Sequence, residues 1–181
     1  MRRSAFAVVM LTLIIVVATR AQSAAPKPPP EVKKWAIWAG DWTTPGTAKD
    51  SPSQPEYKLE WRTNAHWILG GFALQVDGIW RGNGTELHSL EILSYDPAKK
   101  ANTFSGFQSD GTTWIGTATF NNGTSVENVA VTDPNGKVAI CRNDWVFSAD
   151  GRAVSGKAEC EQDGVRWTNF TVKGTRVKGG T

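Results

Sequence analysis

The residues of this chain with chemistry to offer are few: two cysteines, two histidines and a scatter of carboxylates. Cys141 and Cys160 stand symmetrically about Asp150-Gly151. If those two residues form a hairpin loop, counting outward pairs Ala149 with Arg152, Phe147 with Val154, Trp145 with Gly156 and Cys141 with Cys160. The sulfurs then face each other across adjacent strands, at the roughly 5.5 Å Cα separation of a hydrogen-bonded pair, which a disulfide can span. No third cysteine competes, and the Cys-x-x-Cys spacing of a redox pair is absent. On chain-entropy grounds the bridge stabilises the fold by about 3 kcal/mol.

His66 and His88 are too few for a multi-histidine metal centre, and no carboxylates carry the spacing of a metal loop, so no metal or other cofactor is expected. No Gly-x-Ser-x-Gly elbow or ordered serine, acid and histidine series is present, and the glycines sit with Asp or Asn as turns rather than in a phosphate-cradling loop. The segment 86 to 95 is more informative. Leu87, Ser89, Glu91, Leu93 and Tyr95 share one face, and His88, Leu90 and Ile92 the other. Whichever face points inward brings an ionisable group with it, so Glu91 or His88 is expected to be the polar anchor of an apolar pocket. The competing reading leaves that residue wet at a rim.

The elements that must position these residues begin with an export segment. Arg2 and Arg3 precede an apolar run from Ala5 to Ala18 and a small-residue cleavage zone, so residues 1–21 read as a signal peptide cut after Ala21. The run is shorter than the ~20 residues that span a bilayer, so no membrane span is expected after cleavage. Residues 22–31, with Pro26-Lys27-Pro28-Pro29-Pro30, read as a stiff, exposed spacer, and residues 32–181 as one domain. Export to a periplasmic or extracellular, oxidising compartment agrees with a single disulfide. The formal charge of +3 includes Arg2, Arg3 and Arg20 of the leader. What remains is near neutral without a basic stripe, which argues against nucleic acid as a partner. Oligomeric state stays open.

Asn-Gly or Asp-Gly pairs recur at 77–78, 83–84, 110–111, 122–123, 135–136, 150–151 and 163–164, the signature of successive antiparallel hairpins. Strands are predicted near 56–63, 67–77, 86–95, 101–109, 112–120, 125–132, 137–148, 152–162 and 165–176. Asp110-Gly111 as a two-residue loop pairs Phe107 with Trp114, Ser105 with Gly116 and Thr103 with Ala118. Asp163-Gly164 pairs Cys160 with Trp167. Together with the first hairpin, this places Trp145, Cys141, Cys160 and Trp167 on one inward side. Keeping Val131 there requires a three-residue loop through Pro134-Asn135-Gly136 with a left-handed glycine. Val32 and Trp35 lie at helical spacing, so residues 31–39 are predicted to form a short helix covering one end. The fold class is therefore all-β: an up-and-down antiparallel meander closing into a barrel, which removes its exposed edges. A sandwich is the architectural alternative.

Gly40-Asp41-Trp42 resembles the Gly-x-Trp signature of lipocalin-like, calycin-type barrels. That resemblance implies packing of Trp42 against a basic residue near the barrel's end, which Arg176 can supply. The ordered series Gly40-Asp41-Trp42, Trp67-Ile68-Leu69-Gly70-Gly71-Phe72, Leu93-Ser94-Tyr95-Asp96-Pro97 and the Asp-Gly hairpins is similar to a bacterial domain of unknown function, the DUF1579 family, over most of the mature chain. It implies a lipocalin-like barrel and no transferable activity. Some small calycin-like barrels bind haem through one histidine, and either His66 or His88 is a candidate. However, the Gly-x-Trp-x-Gly-x-Gly pattern of those relatives is absent, since Trp42 is followed by Thr43-Thr44-Pro45-Gly46. The expected function is non-catalytic binding of a small, mainly apolar molecule at a barrel mouth lined by Trp67, Phe72, Leu74, Trp80, His88, Glu91 and Trp114. The alternatives are an acid-base isomerase or cyclase using Glu91, Asp77 or His66, and an envelope module binding glycan or protein through exposed aromatics.

Overall fold

A computed structural model describes residues 26–178, so the predicted signal peptide lies outside the described residues. Ten antiparallel strands follow one another in sequence: β1 (Gly40–Ala48), β2 (Tyr57–Ile68), β3 (Ala73–Gly82), β4 (Thr85–Asp96), β5 (Ala101–Gln108), β6 (Thr113–Asn121), β7 (Thr124–Thr132), β8 (Val138–Phe147), β9 (Ala153–Gln162) and β10 (Val165–Lys178). Each pairs with its sequence neighbours, and β1 pairs with β10, so the sheet is a closed up-and-down barrel. Closure satisfies the ladder groups that an open sheet would expose at two edges.

The predicted N-terminal helix is a 3₁₀ helix, Pro30–Trp38, with Pro30 at its first turn where a missing N–H costs nothing. Val32 and Trp35 are fully buried. Trp35 stands edge-on to Phe104 and Phe120, and its indole N–H donates to the Ser94 carbonyl at 2.9 Å. The helix thus plugs the barrel end formed by the β2–β3, β4–β5, β6–β7 and β8–β9 connections. The proline spacer is not wholly exposed: Pro28 and Pro29 are half-buried, and a Cβ at Gly71 would lie 3.3 Å from the Pro28 ring. Where β1 meets β10, Trp42 pairs with Arg176. The guanidinium carbon sits 4.7 Å from the indole centroid and Nη2 donates to the Ile37 carbonyl at 2.8 Å, while the Trp42 N–H donates to the Trp38 carbonyl at 2.9 Å. Barrel closure and helix are joined at this point.

Cys141 pairs with Cys160, Trp145 with Gly156 and Phe147 with Val154, the register predicted about Asp150-Gly151, and the disulfide is formed. The Cα atoms lie 4.0 Å apart, closer than the hydrogen-bonded pair expected and nearer the spacing of a non-hydrogen-bonded one. The loop is longer than two residues: Ser148 N–H bonds Ala153 O, leaving Ala149–Arg152 as a four-residue turn that preserves the count. Trp167 faces Cys160, and the Asp133 to Lys137 bond closes the three-residue loop with Gly136 at φ 81°, as predicted.

Two turn motifs behave differently from expectation. About Asp110-Gly111 the Gln108 N–H bonds Thr112 O, so the loop holds three residues and the register moves by one. Gly106 rather than Phe107 faces Trp114, and Phe107 points outward, 60 % exposed. Gly111 has a positive φ and Asp110 does not, whereas the two-residue loops at Asn83-Gly84, Asn122-Gly123 and Asp163-Gly164 have positive φ at both positions. Asp77-Gly78 is no turn at all: it lies within β3, and the reversal occurs at Leu69–Gly71. Gly78 is closely packed: a Cβ there would force the Ser89 hydroxyl to turn away and would approach the Trp61 indole nitrogen at 3.2 Å. A tenth strand, β1, precedes the nine predicted.

Gly156 lies under the Trp145 ring in the same way, so Gly156→Ala must displace that ring. The expected loss is about 1–3 kcal/mol, read as a lowered urea midpoint with an unchanged slope. Replacing both cysteines with serine is expected to remove about 3 kcal/mol in the same assay.

Candidate functional site

Alternation along each strand decides what enters the barrel. On β4 the inward residues are Leu87, Ser89, Glu91 and Leu93, which places Glu91 inside and His88 outside. They border a cavity of about 630 Å³ that opens at the end formed by the β1–β2, β3–β4, β5–β6 and β7–β8 connections. Trp35 and Trp38 of the helix border its floor, and Trp61, Trp80, Trp114, Trp145 and Phe170 contribute aromatic wall. The rings form a connected series, with centroid separations of 4.9 Å for Trp38–Trp145, 5.4 Å for Trp145–Phe170 and 5.8 Å for Trp61–Trp80.

Two carboxyl groups stand within this aromatic enclosure. Glu91 is half-buried and borders the cavity, and its Oε1 accepts the Trp114 N–H at 2.6 Å. Glu127 on β7 is 8 % exposed; its Oε2 accepts the Trp145 N–H and the Asn143 amide, each at 3.0 Å. Burial, reinforced by the neighbouring charge of Glu127, pushes the Glu91 carboxyl up to about 8, against the opposing Trp114 hydrogen bond. Burial likewise raises Glu127, opposed by its bonds from Trp145 and Asn143. Nearer the mouth, Tyr57 donates to Asp50 at 2.7 Å and receives the Trp80 N–H at 3.3 Å. Burial first, then Asp50, raises the Tyr57 hydroxyl, which therefore remains a neutral donor.

Of the residues predicted at the mouth, Trp80, Glu91 and Trp114 border the cavity. Leu74 faces inward but is fully buried in the packed region around Trp35. Trp67, 37 % exposed, and Phe72 lie at the plugged end, because the strand break is at Leu69–Gly71 and not at Asp77-Gly78. The His88 side chain is 63 % exposed on the outer wall, 3.2 Å from Glu86. His66 is also on the outside, 3.9 Å from Asp77. A haem held through a histidine needs one facing the lumen, and neither does. Glu127, Asn143, Trp61 and Trp38 were not anticipated. The sequence carries a signal for Glu127, since it shares, at even spacing, the face on which Val131 is predicted to point inward.

The sequence model of the family described as "Protein of unknown function (DUF1579)" matches residues 27–170. The chain belongs to the DUF1579 family. No curated protein matches it. Among solved structures, the DUF1579 chain is similar to the crystal structure of Rv2717c from M. tuberculosis, with a TM-score of 0.64 and 14 % identity over 84 % of this chain and 100 % of that one. At that identity the likeness speaks for the fold alone. Among the described residues no helix is long and apolar enough to cross a membrane.

The raised Glu91 carboxyl has a defined effect on stability. Between its ordinary value of 4.5 and about 8 the folded protein holds a proton that the unfolded chain has released. Stability therefore falls as pH rises through that window, by at most about 1.4 kcal/mol per pH unit, and levels off above it. Glu127 acts in the same direction. Glu91→Gln is expected to remove much of this slope and to exceed the wild type in urea midpoint at the alkaline end. Midpoints followed by tryptophan fluorescence across the window test this; an equal slope in the variant would place Glu91 in contact with bulk water.

Proposed function

We propose that this DUF1579 protein is an exported, non-catalytic binding protein for a small, mainly apolar molecule, held in the barrel cavity and oriented by Glu91. The observation that carries this reading is the cavity itself. At about 630 Å³ it is within the ordinary size range of small-molecule sites; aromatic and aliphatic side chains wall its interior around two carboxyls, Glu91 and Glu127, while further polar side chains such as Asp50, Gln54, Asn83 and Asp110 border its mouth. Trp114 holds Glu91 in one position, and a protonated Glu91 both donates and accepts, so it can orient a ligand without a full charge in the lumen. Export is supported by the leader-like residues 1–21 and by the Cys141–Cys160 disulfide, which is compatible with an oxidising compartment.

A second reading, proton transfer by Glu91 on a bound molecule, is favoured by its raised proton affinity, which is suited to acid-base work near neutral pH. His88 and His66 have no part in it, since both face away from the cavity.

The binding reading is tested with Nile red, a neutral dye whose emission shifts blue in apolar surroundings. Saturable uptake at one site is expected. Leu87→Trp, which adds an indole inside the lumen opposite Trp80, is expected to weaken uptake about tenfold or more with the fold retained by circular dichroism. Unchanged uptake in that variant would place the dye outside the barrel and remove the support. Native mass spectrometry of the protein from its own host's exported fraction is expected to show a small molecule lost on denaturation.

A further inference from the structure

We infer that the cavity takes an apolar organic cation, a primary ammonium carried on a hydrophobic body. This inference deepens the binding reading and rests on it. The residues bordering the cavity include five carboxylic acids, Asp50, Glu91, Asp110, Glu127 and Asp133, and no lysine, arginine or histidine. The chain as a whole has 20 basic and 17 acidic residues, so this one-signed lining is not an echo of composition. Among the described residues no cationic side chain borders this cavity, Arg176 lying at the plugged end over the Trp42 indole and bonded to the Ile37 carbonyl, while two carboxyls stand within it.

The two deep carboxyls are only half used by the protein. Trp114 donates to Glu91 Oε1, while Trp145 and Asn143 donate to Glu127 Oε2. Among the described residues nothing donates to Glu91 Oε2 or to Glu127 Oε1, and neither group is in an ion pair. Glu127 is more than nine-tenths buried and borders the cavity. The free oxygens of the two acids are not among the fully buried polar atoms without a partner, so they keep accessible surface, and both residues border the cavity. A ligand ammonium supplies the opposite charge and N–H donors for both free oxygens. The indoles of Trp38, Trp61, Trp80 and Trp145 border the same space and suit the methylene group beside an ammonium nitrogen through cation–π attraction.

The acids at the mouth have structural work as well. Asp50 accepts from Tyr57, Asp110 from the Thr112 N–H, and Asp133 from the N–H groups of Asn135 and Lys137. Their carboxylates nonetheless give the entrance the same sign as the interior, which attracts a cation and repels an anion. An anionic ligand such as a fatty acid would find no counter-charge. Among the described residues no group of three or more potential metal ligands clusters, and two carboxyls among indoles offer a bare divalent cation too few oxygens. The groups facing Glu91 across the cavity are Glu127 from β7, Tyr57 from β2, and the three aspartates of the rim loops. None is positive, and of the protein's own groups only the Trp114 hydrogen bond favours the ionised form, so an ammonium entering near neutral pH supplies the missing counter-charge and draws a proton off the carboxyl pair.

Calorimetry with three probes of one shape tests this: phenylbutylammonium, phenylbutanol and phenylbutyrate, titrated into the protein in buffers of different ionisation heat. The ammonium is expected to bind about tenfold or more tightly than the alcohol, the carboxylate weakest of all, and about one proton is expected to leave per ammonium bound near neutral pH. Glu91→Gln combined with Glu127→Gln, checked for fold by near-ultraviolet circular dichroism, is expected to erase the preference for the ammonium over the alcohol. Alcohol binding equal to or tighter than ammonium binding in the wild type overturns the cation assignment while leaving the binding reading intact. Nile red uptake without binding of any of the three probes also overturns it. If neither the dye nor any probe binds, both readings fail together.

Discussion

The pairing of each strand with its sequence neighbours around a closed circuit controls the rest of the structure. In a sheet a slip of one residue turns every side chain of a strand to the other face, so barrel closure gives each residue a fixed choice between lumen and solvent. Cys141 and Cys160 fix that choice for β8 and β9, and Trp42 under Arg176 fixes it where β10 returns to β1. Within this frame the lumen is shaped by glycines. Gly106 lies beneath the Trp114 ring, Gly116 beneath Phe104 and Gly156 beneath Trp145. Each large ring lies flat on a bare stretch of the neighbouring strand rather than across the barrel, so much aromatic area is accommodated while space at the centre stays open. Toward the helix the arrangement changes: Trp35 crosses the end and packs edge-on against Phe104 and Phe120, closing it.

The buried carboxyls oppose folding rather than support it. Glu91 has one hydrogen bond and Glu127 has two, while neither has a cation. Burial without a counter-charge drives a carboxyl toward its neutral form, the direction seen at both. A pair of leucines would serve a barrel core better. Titratable groups held against their solvation preference inside a cavity are the kind of feature that marks a site, because the energy stored there is available to whatever enters. The indole N–H groups of Trp114 and Trp145 serve twice, satisfying these acids and fixing where they point.

Much of this arrangement was legible in the sequence, and its limits follow from the turn chemistry. The Cys141–Cys160 register, the left-handed Gly136, the Trp167–Cys160 pair and the helix carrying Val32 and Trp35 were all readable, because a loop with an even or known count transmits parity without loss. Asp110-Gly111 misled by one residue since an Asp-Gly pair fits both a two-residue loop and the end of a three-residue one, and only the second occurs. Asp77-Gly78 misled more, because the same dipeptide marks a turn when φ is positive and a close packing contact when it is not. That error moved Trp67 and Phe72 from the plugged end to the mouth. Glu91 against His88 could not be decided within one strand, where either face is plausible. It is decided by β3 and β5 on its two sides, whose inward sets are fixed by long-range closure.

The two barrel ends are therefore unequal in a way that bears on function. The chain enters through Pro28 against Gly71 and the 3₁₀ helix, so its N-terminal approach is at the plugged end. The opposite end is bordered by loops carrying Asp50, Asp110 and Asp133, each holding its own loop or strand start in shape through a hydrogen bond. Because those acids stabilise the loops locally, the mouth keeps its shape without help from the chain's own entry segment. The same side chains that form the turns set the sign of the entrance. A pore shaped in this way is pre-formed, which lowers the ordering cost a ligand must meet. Its selectivity then rests on the match between a fixed, one-signed lining and the charge of the guest.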